Sequence, residues 1–197
     1  MKIVAGAFKG RRLVTPRGST TRPTADQVRI ALMDTLTPWL AGVRFLDLFA
    51  GAGAVGLEAV SRGAAQATLV EHDARAVDAL RRNVATLGLA SATRILPIDV
   101  RRALSRLERQ QERFGVVFLD PPYESELASA VLKTLGAGRL LSPPAFVIVQ
   151  HLTKRPPSAE VGVLRVLRAR RFGETTLTFF RGPAYDAPSE PPPPGDL

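Results

Sequence analysis

The stretch VVFLDPPYES, residues 116–125, runs four apolar residues into an acid, two prolines and an aromatic. A plain turn at the end of a buried strand is served by Gly, Asn or Ser. Prolines instead remove backbone donors and stiffen the exit. Asp120 stands where such a strand would leave the core, directly before the Pro121 carbonyl. Two acceptors held side by side suit the exocyclic NH2 of a nucleobase, a poor nucleophile because its lone pair is delocalised into the ring. They can hold that nitrogen in line with a methyl donor and favour the positive charge developing on it. Pro122 keeps the acceptors rigid, and Tyr123 offers a face on which an unstacked base can lie, worth about 1–3 kcal/mol. The competing reading of these four residues is a strand-ending turn.

A second constellation lies upstream. FLDLFAGAGAVGLEA places Gly51, Gly53 and Gly56 at the mouth of a helix, just after a short apolar strand. Glycines there permit a tight turn and a close approach of backbone N–H groups to a ligand. Glu71, twenty residues after Gly51, ends the next strand, where an acid can accept hydrogen bonds from both hydroxyls of a ribose. The glycine spacing alone also satisfies a dinucleotide fingerprint and keeps an NAD-dependent oxidoreductase in play. Asp47 argues against it, because a carboxylate four residues before Gly51 would repel a pyrophosphate. The same carboxylate would attract the ammonium and sulfonium of S-adenosylmethionine, although pairing with a nearby arginine would also explain it. Asp99, after the third strand, can accept from an adenine amino group, cap the helix that follows, or do both.

These residues need a sheet to bring them together. From Val43 onward, apolar runs at 43–49, 67–71, 93–98, 115–120 and 145–150 alternate with helical patterns at 54–62, 74–87, 101–113 and 124–136. That alternation predicts a parallel sheet covered on both faces. Glu71 then ends its strand and Asp99 and Asp120 follow theirs, with Asp120 at the carboxyl edge where open α/β folds bind ligands, while Asp47 interrupts the first strand. The last two strand patterns, 161–172 and 174–182, flank Phe172-Gly173 and predict an antiparallel ending. Ahead of the sheet, 2–7 and 11–15 read as a hairpin turning at 8–10. A helix follows from Thr24, with Gln27 at capping-box spacing and Pro38 as its stop. The tail SEPPPPGDL is proline-rich and apolar-poor, which predicts an extended or disordered segment. The expected organisation is 1–23 as basic hairpin and loop, 24–182 as the α/β domain, and 183–197 as tail.

Composition bounds the function. A chain of 197 residues with 45% hydrophobic content and no cysteine can build one ordinary core, without disulfides or thiolate chemistry. With two histidines, a catalytic zinc is not expected, nor is any other metal. No apolar run approaches the ~20 residues of a membrane span. MKIVAGAFKG lacks the pattern of a signal peptide, so the expected location is the cytoplasm. The net charge of +9 is unevenly spread: residues 1–30 carry +6, 31–150 carry +1, 151–182 carry +5, and the rest −3. Two basic flanks around a near-neutral body imply a polyanionic partner. Lys9, Arg11, Arg12 and Arg22 are the candidate phosphate contacts, which position an enzyme without reading sequence. Arg102, Arg106, Arg109 and Arg113 recur at helical spacing but interleave with Glu108 and Glu112, the pattern of a solvated face. Arg170 and Arg171 are open to either reading.

The chain resembles the RsmD family of 16S rRNA guanine-N2 methyltransferases. IVAGAFKGRRL, RPTADQVRIALMDTL, FLDLFAGAGAVGLEAVSRGA, FLDPPYES and RRFGETTLTFFRG fall in that family's order and spacing, over residues 1 to about 182. The resemblance implies a Rossmann-like class I methyltransferase with a seven-stranded, mostly parallel sheet, an antiparallel C-terminal hairpin and an N-terminal β-hairpin that helps hold RNA. It implies S-adenosylmethionine contacts at Asp47, Gly51, Gly53, Glu71 and Asp99, and catalysis at Asp120, Pro121, Pro122 and Tyr123. It further implies a monomer acting on 16S rRNA within the small ribosomal subunit, yielding N2-methylguanosine and S-adenosylhomocysteine. Ile30 and Ile98 depart from the family pattern, which commonly has an acid and a glycine at those places. The alternatives are an adenine-N6 methyltransferase, which shares the Asp-Pro-Pro-Tyr acceptors, and a non-catalytic ribosome-assembly factor.

Overall fold

The computed structural model describes residues 1–16, 23–122 and 126–182. Arg22, Tyr123 and the tail from residue 183 lie outside them. Five strands, β1 (Arg44–Asp47), β2 (Gln66–Val70), β3 (Thr93–Leu96), β4 (Phe114–Leu119) and β5 (Leu141–Leu152), run parallel. Then β6 (Glu160–Val161), β7 (Leu164–Phe172) and β8 (Thr175–Arg181) complete an eight-stranded sheet in the order β3-β2-β1-β4-β5-β8-β7-β6. The strand beyond the expected seven is β6, two residues paired with the start of β7. The antiparallel ending is present, with β8 inserted between β5 and β7.

The strands are buried on both faces, and their alternate residues feed two cores. Phe45, Leu69, Phe118 and Ile148 face α1 (Pro23–Leu40), α2 (Ala54–Ser61) and α3 (Ala74–Leu87). Leu46, Val70, Leu119 and Val147 face α4 (Val100–Arg109) and α5 (Leu127–Gly136). Gly56 lets α2 lie close on the sheet, since a Cβ there would stand 2.2 Å from Leu69 Cδ2.

Three expectations change in detail. Pro38 does not end α1, which runs on to Leu40. The missing N–H costs one helical bond. The last turn is held instead by fully buried Leu40, by Trp39 packed 4.9 Å from the Phe146 ring, and by Thr37 Oγ1 donating to the Met33 carbonyl. Helix α4 stops at Arg109 rather than 113, because Gln111 turns to φ 53° and Glu112 swings to ion-pair with Arg44 and Arg94. The N-terminal hairpin is shorter than 2–7 with 11–15, pairing through the single bridge Lys2–Arg12. Residues 4–8 give their amides to α2 instead: Val4 and Ala5 to Glu58, Ala7 to the Ser61 carbonyl, and Phe8 to Ser61 Oγ. Gly6 makes this possible at φ 81°, where a Cβ would fall 1.8 Å from the Ser61 carbonyl oxygen.

Candidate active site

Sheet order places the site. The connection direction reverses between β1 and β4, the switch point at which open α/β sheets bind ligands beyond their carboxyl edge. Register brings the acids to that edge: Asp47 lies beside Leu69 of β2 and Phe118 of β4, so Glu71 and Asp120 each stand two residues further along. A cavity of about 360 Å3 opens there, lined by Glu71, Asp99, Asp120, Pro121, Pro122 and apolar groups that include Phe49 and Ile98.

Each acid has its own setting. Glu71 is held by backbone: Oε2 accepts from Gly51 N at 2.9 Å, and Oε1 accepts from His72 N and Asp73 N at 2.7 and 2.8 Å. One carboxylate therefore ties the end of β2 to the glycine turn and still presents an edge to the cavity. Asp99 caps α4, accepting from Arg101 N at 2.9 Å, while it lines the same cavity. The capping role is present, and the exposed residue remains open to a ligand. Asp47 is 1% exposed and meets no arginine among the described residues; Phe49 N donates to it at 3.3 Å. Burial pushes its carboxyl up to about 7, opposed by the Phe49 amide and reinforced by the charge of Asp120. Asp120 accepts no hydrogen bond among the described residues, and burial pushes it to about 7 as well. A buried and a half-buried carboxylate, neither with a cationic partner among the described residues, make a setting that a cation would stabilise.

Asp47, Gly51 and Gly53 do not line the cavity; Asp47 ends β1, and the glycine turn joins the lining through the Gly51 amide on Glu71. Gly51 and Gly53 adopt φ 53° and 88°, and a Cβ on Gly53 would approach Leu80 Cδ1 to 2.4 Å. The left-handed backbone at Gly53 favours glycine, and a Cβ there would also make Leu80 shift. Lys9, Arg11 and Arg12 are exposed and make no ion pair among the described residues, but they follow Phe8, whose amide donates to Ser61 Oγ at the end of α2 remote from the glycine turn. Arg29, counted among the basic flank, is withdrawn from it: it is 7% exposed and binds Glu58 at 2.9 Å. Arg113 leaves the α4 stripe and donates to the Leu141 carbonyl.

Two positioning residues escaped the sequence reading. Glu58 is fully buried and receives Arg29, Arg62 and the Val4 and Ala5 amides, joining α1, α2 and the N-terminal segment. Its signal was a lone acid inside the apolar run VGLEAV. Asn83 is 1% exposed; its Oδ1 accepts from Val14 N at 2.7 Å, and its Nδ2 donates to the carbonyls of Val14 and Ala52. It thereby ties the chain after the hairpin to the glycine turn. An asparagine at a mid-helix position, where Asn is a poor helix former, was the available sign.

A sheet of this order, with its glycine turn and its Asp-Pro-Pro exit on either side of the switch point, is the architecture of class I methyltransferases. The solved structure described as "Putative methyltransferase yhhF from Escherichia coli" superposes with a TM-score of 0.80 at 32% identity, covering 94% of this chain and 99% of that one. Among curated proteins, the "Putative rRNA methyltransferase YlbH" of Bacillus subtilis is 32% identical over 181 residues, 92% of this chain and 98% of that protein. The "Ribosomal RNA small subunit methyltransferase D" of Escherichia coli K12 is 37% identical over 150 residues, 76% of this chain and 74% of that protein. The family described as "Conserved hypothetical protein 95" matches residues 1–181, and the chain belongs to this family, that of the RsmD methyltransferases.

Proposed function

We propose that this protein transfers a methyl group from S-adenosylmethionine to the exocyclic N2 of a guanine in 16S rRNA of the small ribosomal subunit. The observation that carries the reading is Asp120. It is a carboxylate free of hydrogen bonds from the described residues, on the cavity wall beside the Pro121 carbonyl, at the strand end next to the switch point. The names of the relatives, two of them rRNA methyltransferases, agree with it. So does the charge pattern, with Lys9, Arg11, Arg12 and Arg22 proposed as phosphate contacts for a monomeric enzyme on an assembled subunit.

The donor suits the acids present. S-adenosylmethionine supplies a methyl activated on a sulfonium and carries a cationic ammonium. Asp47 supplies buried negative charge behind the glycine turn, Gly51 and Gly53 let the backbone come close, Glu71 takes the ribose hydroxyls, and Asp99 takes the adenine amine. Asp120 and the Pro121 carbonyl accept the two N–H bonds of the guanine N2 and aim its lone pair at the methyl. The base lies on Tyr123, and Pro122 fixes the exit. Extrusion costs least where the base is already unpaired, as in an RNA loop. The amine loses its proton after transfer, so Asp120 acts as an orienting acceptor and needs no high basicity.

The test is Asp120→Ala, with cofactor affinity measured by calorimetry and turnover on unmodified small subunits. The expected outcome is unchanged cofactor binding and a turnover loss of about 10²–10³-fold, the scale of removing one preorganised polar partner. Near-normal turnover would refute the assignment.

A further inference from the structure

A second cavity, of about 390 Å3, adjoins the first and shares the Pro121–Pro122 wall with it. It lies between α5, the end of β5 and the loop that follows, and it is within the ~300–1,000 Å3 of ordinary ligand sites. Its character differs from the first. Lys133 of α5 and Arg155 of the loop line it, both exposed and both without an ion pair among the described residues. Leu132, Pro156 and Pro157 give it an apolar wall. Of its two acids, Glu160 is paired with Arg165 at 3.2 Å, which leaves Glu126 at the rim.

Register extends the positive charge beyond the cavity. His151 of β5 lies opposite Thr176 of β8, which lies opposite Arg171 of β7. Arg171 is thus two strands, about 10 Å, from a residue lining the cavity. Arg170 lies one residue before it, opposite Leu177. The basic flank at 151–182 therefore delivers Lys154, Arg155, Arg170 and Arg171 to the same edge of the sheet as Asp120.

We propose that the second cavity is a subsite for one unpaired nucleotide next to the acceptor in the RNA. In this subsite, Lys133 and Arg155 take its phosphates, and its base lies on the Leu132 and Pro156–Pro157 wall. The acceptor itself is excluded, because its amine must reach Asp120, which lines the first cavity and not the second. A nucleotide joined to it by one sugar–phosphate link reaches across a wall only two residues long. The inference rests on the proposed function, and its test is built to fail separately from it.

Equilibrium binding of small-subunit RNA, which needs no turnover, is measured for the wild type, Lys133→Ala/Arg155→Ala, Ser129→Glu and Ser129→Gln. Ser129 is an exposed lining residue of α5, so neither of its replacements disturbs the core. The double variant is expected to bind RNA about tenfold more weakly, with a salt slope shallower by about 1.4, two contacts at ~0.7 each for single strands. Ser129→Glu is expected to weaken binding similarly by repelling phosphate, and Ser129→Gln by twofold or less. Cofactor affinity should stay within twofold throughout, and Arg106→Ala/Arg109→Ala, which removes equal charge from α4, should leave RNA binding within twofold. Unchanged RNA affinity and salt slope in the double variant would overturn the subsite, as would an equal loss in the α4 control. A wild type that binds RNA in this Lys133- and Arg155-dependent way yet transfers no methyl would leave the subsite standing and remove the proposed function.

Discussion

Asp47 and Asp120 share a raised titration, and Asp47 is the one on which protons and the proposed cofactor would compete. Burial holds both near 7, well above the ordinary 3.8. The folded chain therefore binds more protons than the unfolded chain between about pH 4 and 7. Their contribution to stability is complete below about pH 4 and is lost as pH rises through about 7. At Asp47 a cationic cofactor would reverse the balance, because it favours the ionised acid. Asp47→Asn is accordingly expected to raise the Tm of the cofactor-free protein at pH 8 more than at pH 5. It should also weaken S-adenosylmethionine by about tenfold, roughly 1.4 kcal/mol. Thermal melts at the two pH values, with and without cofactor, check both signs; a Tm shift equal at both pH values would contradict the account. Much of this was legible in the sequence. An acid interrupting an apolar strand, glycines at a helix mouth and an acid before paired prolines each break a local rule. Such breaks mark function because they cost stability.

At the scale of elements, Glu58 decides how the N-terminal segment sits. Removing it leaves Arg29 buried, with Asp26 as its remaining carboxylate, and strips the Val4 and Ala5 amides of their acceptor. Glu58→Ala is expected to destabilise by about 3–5 kcal/mol, as expected when one partner of a buried ion pair is lost. Glu58→Gln, which keeps the acceptor oxygen and loses the charge, should cost less; denaturant unfolding measures both. Alternation of strands and helices was readable from periodicity, and α3 runs over the expected residues 74–87. What was not readable depends on contacts distant in sequence. Leu40 and Trp39 carry α1 past Pro38, Glu112 answers Arg44 and Arg94 instead of extending α4, and residues 4–8 leave their hairpin for a helix some fifty residues on. Glu58 and Asn83 stayed hidden for the same reason, since each acts through partners that spacing alone does not reveal.

For the whole molecule, charge and sheet edge work together. The near-neutral stretch 31–150 carries the candidate site, Lys9, Arg11 and Arg12 follow the segment held at the end of α2, and Lys154, Arg155, Arg170 and Arg171 stand at the carboxyl edge beyond β5. Lys9→Ala/Arg11→Ala/Arg12→Ala is expected to lower RNA affinity and reduce the salt slope by about 2, three contacts at ~0.7 each, with cofactor affinity unchanged. An unaltered slope would remove the N-terminal segment from the RNA interface. The central claim is the reaction itself. Its most direct test is transfer of labelled methyl from S-adenosylmethionine to unmodified small ribosomal subunits, followed by digestion to nucleosides. Label in N2-methylguanosine is the expected result. Label in N6-methyladenosine would keep the chemistry of Asp120 and contradict the base, and no label from a chain that binds the cofactor would contradict the reaction on this substrate.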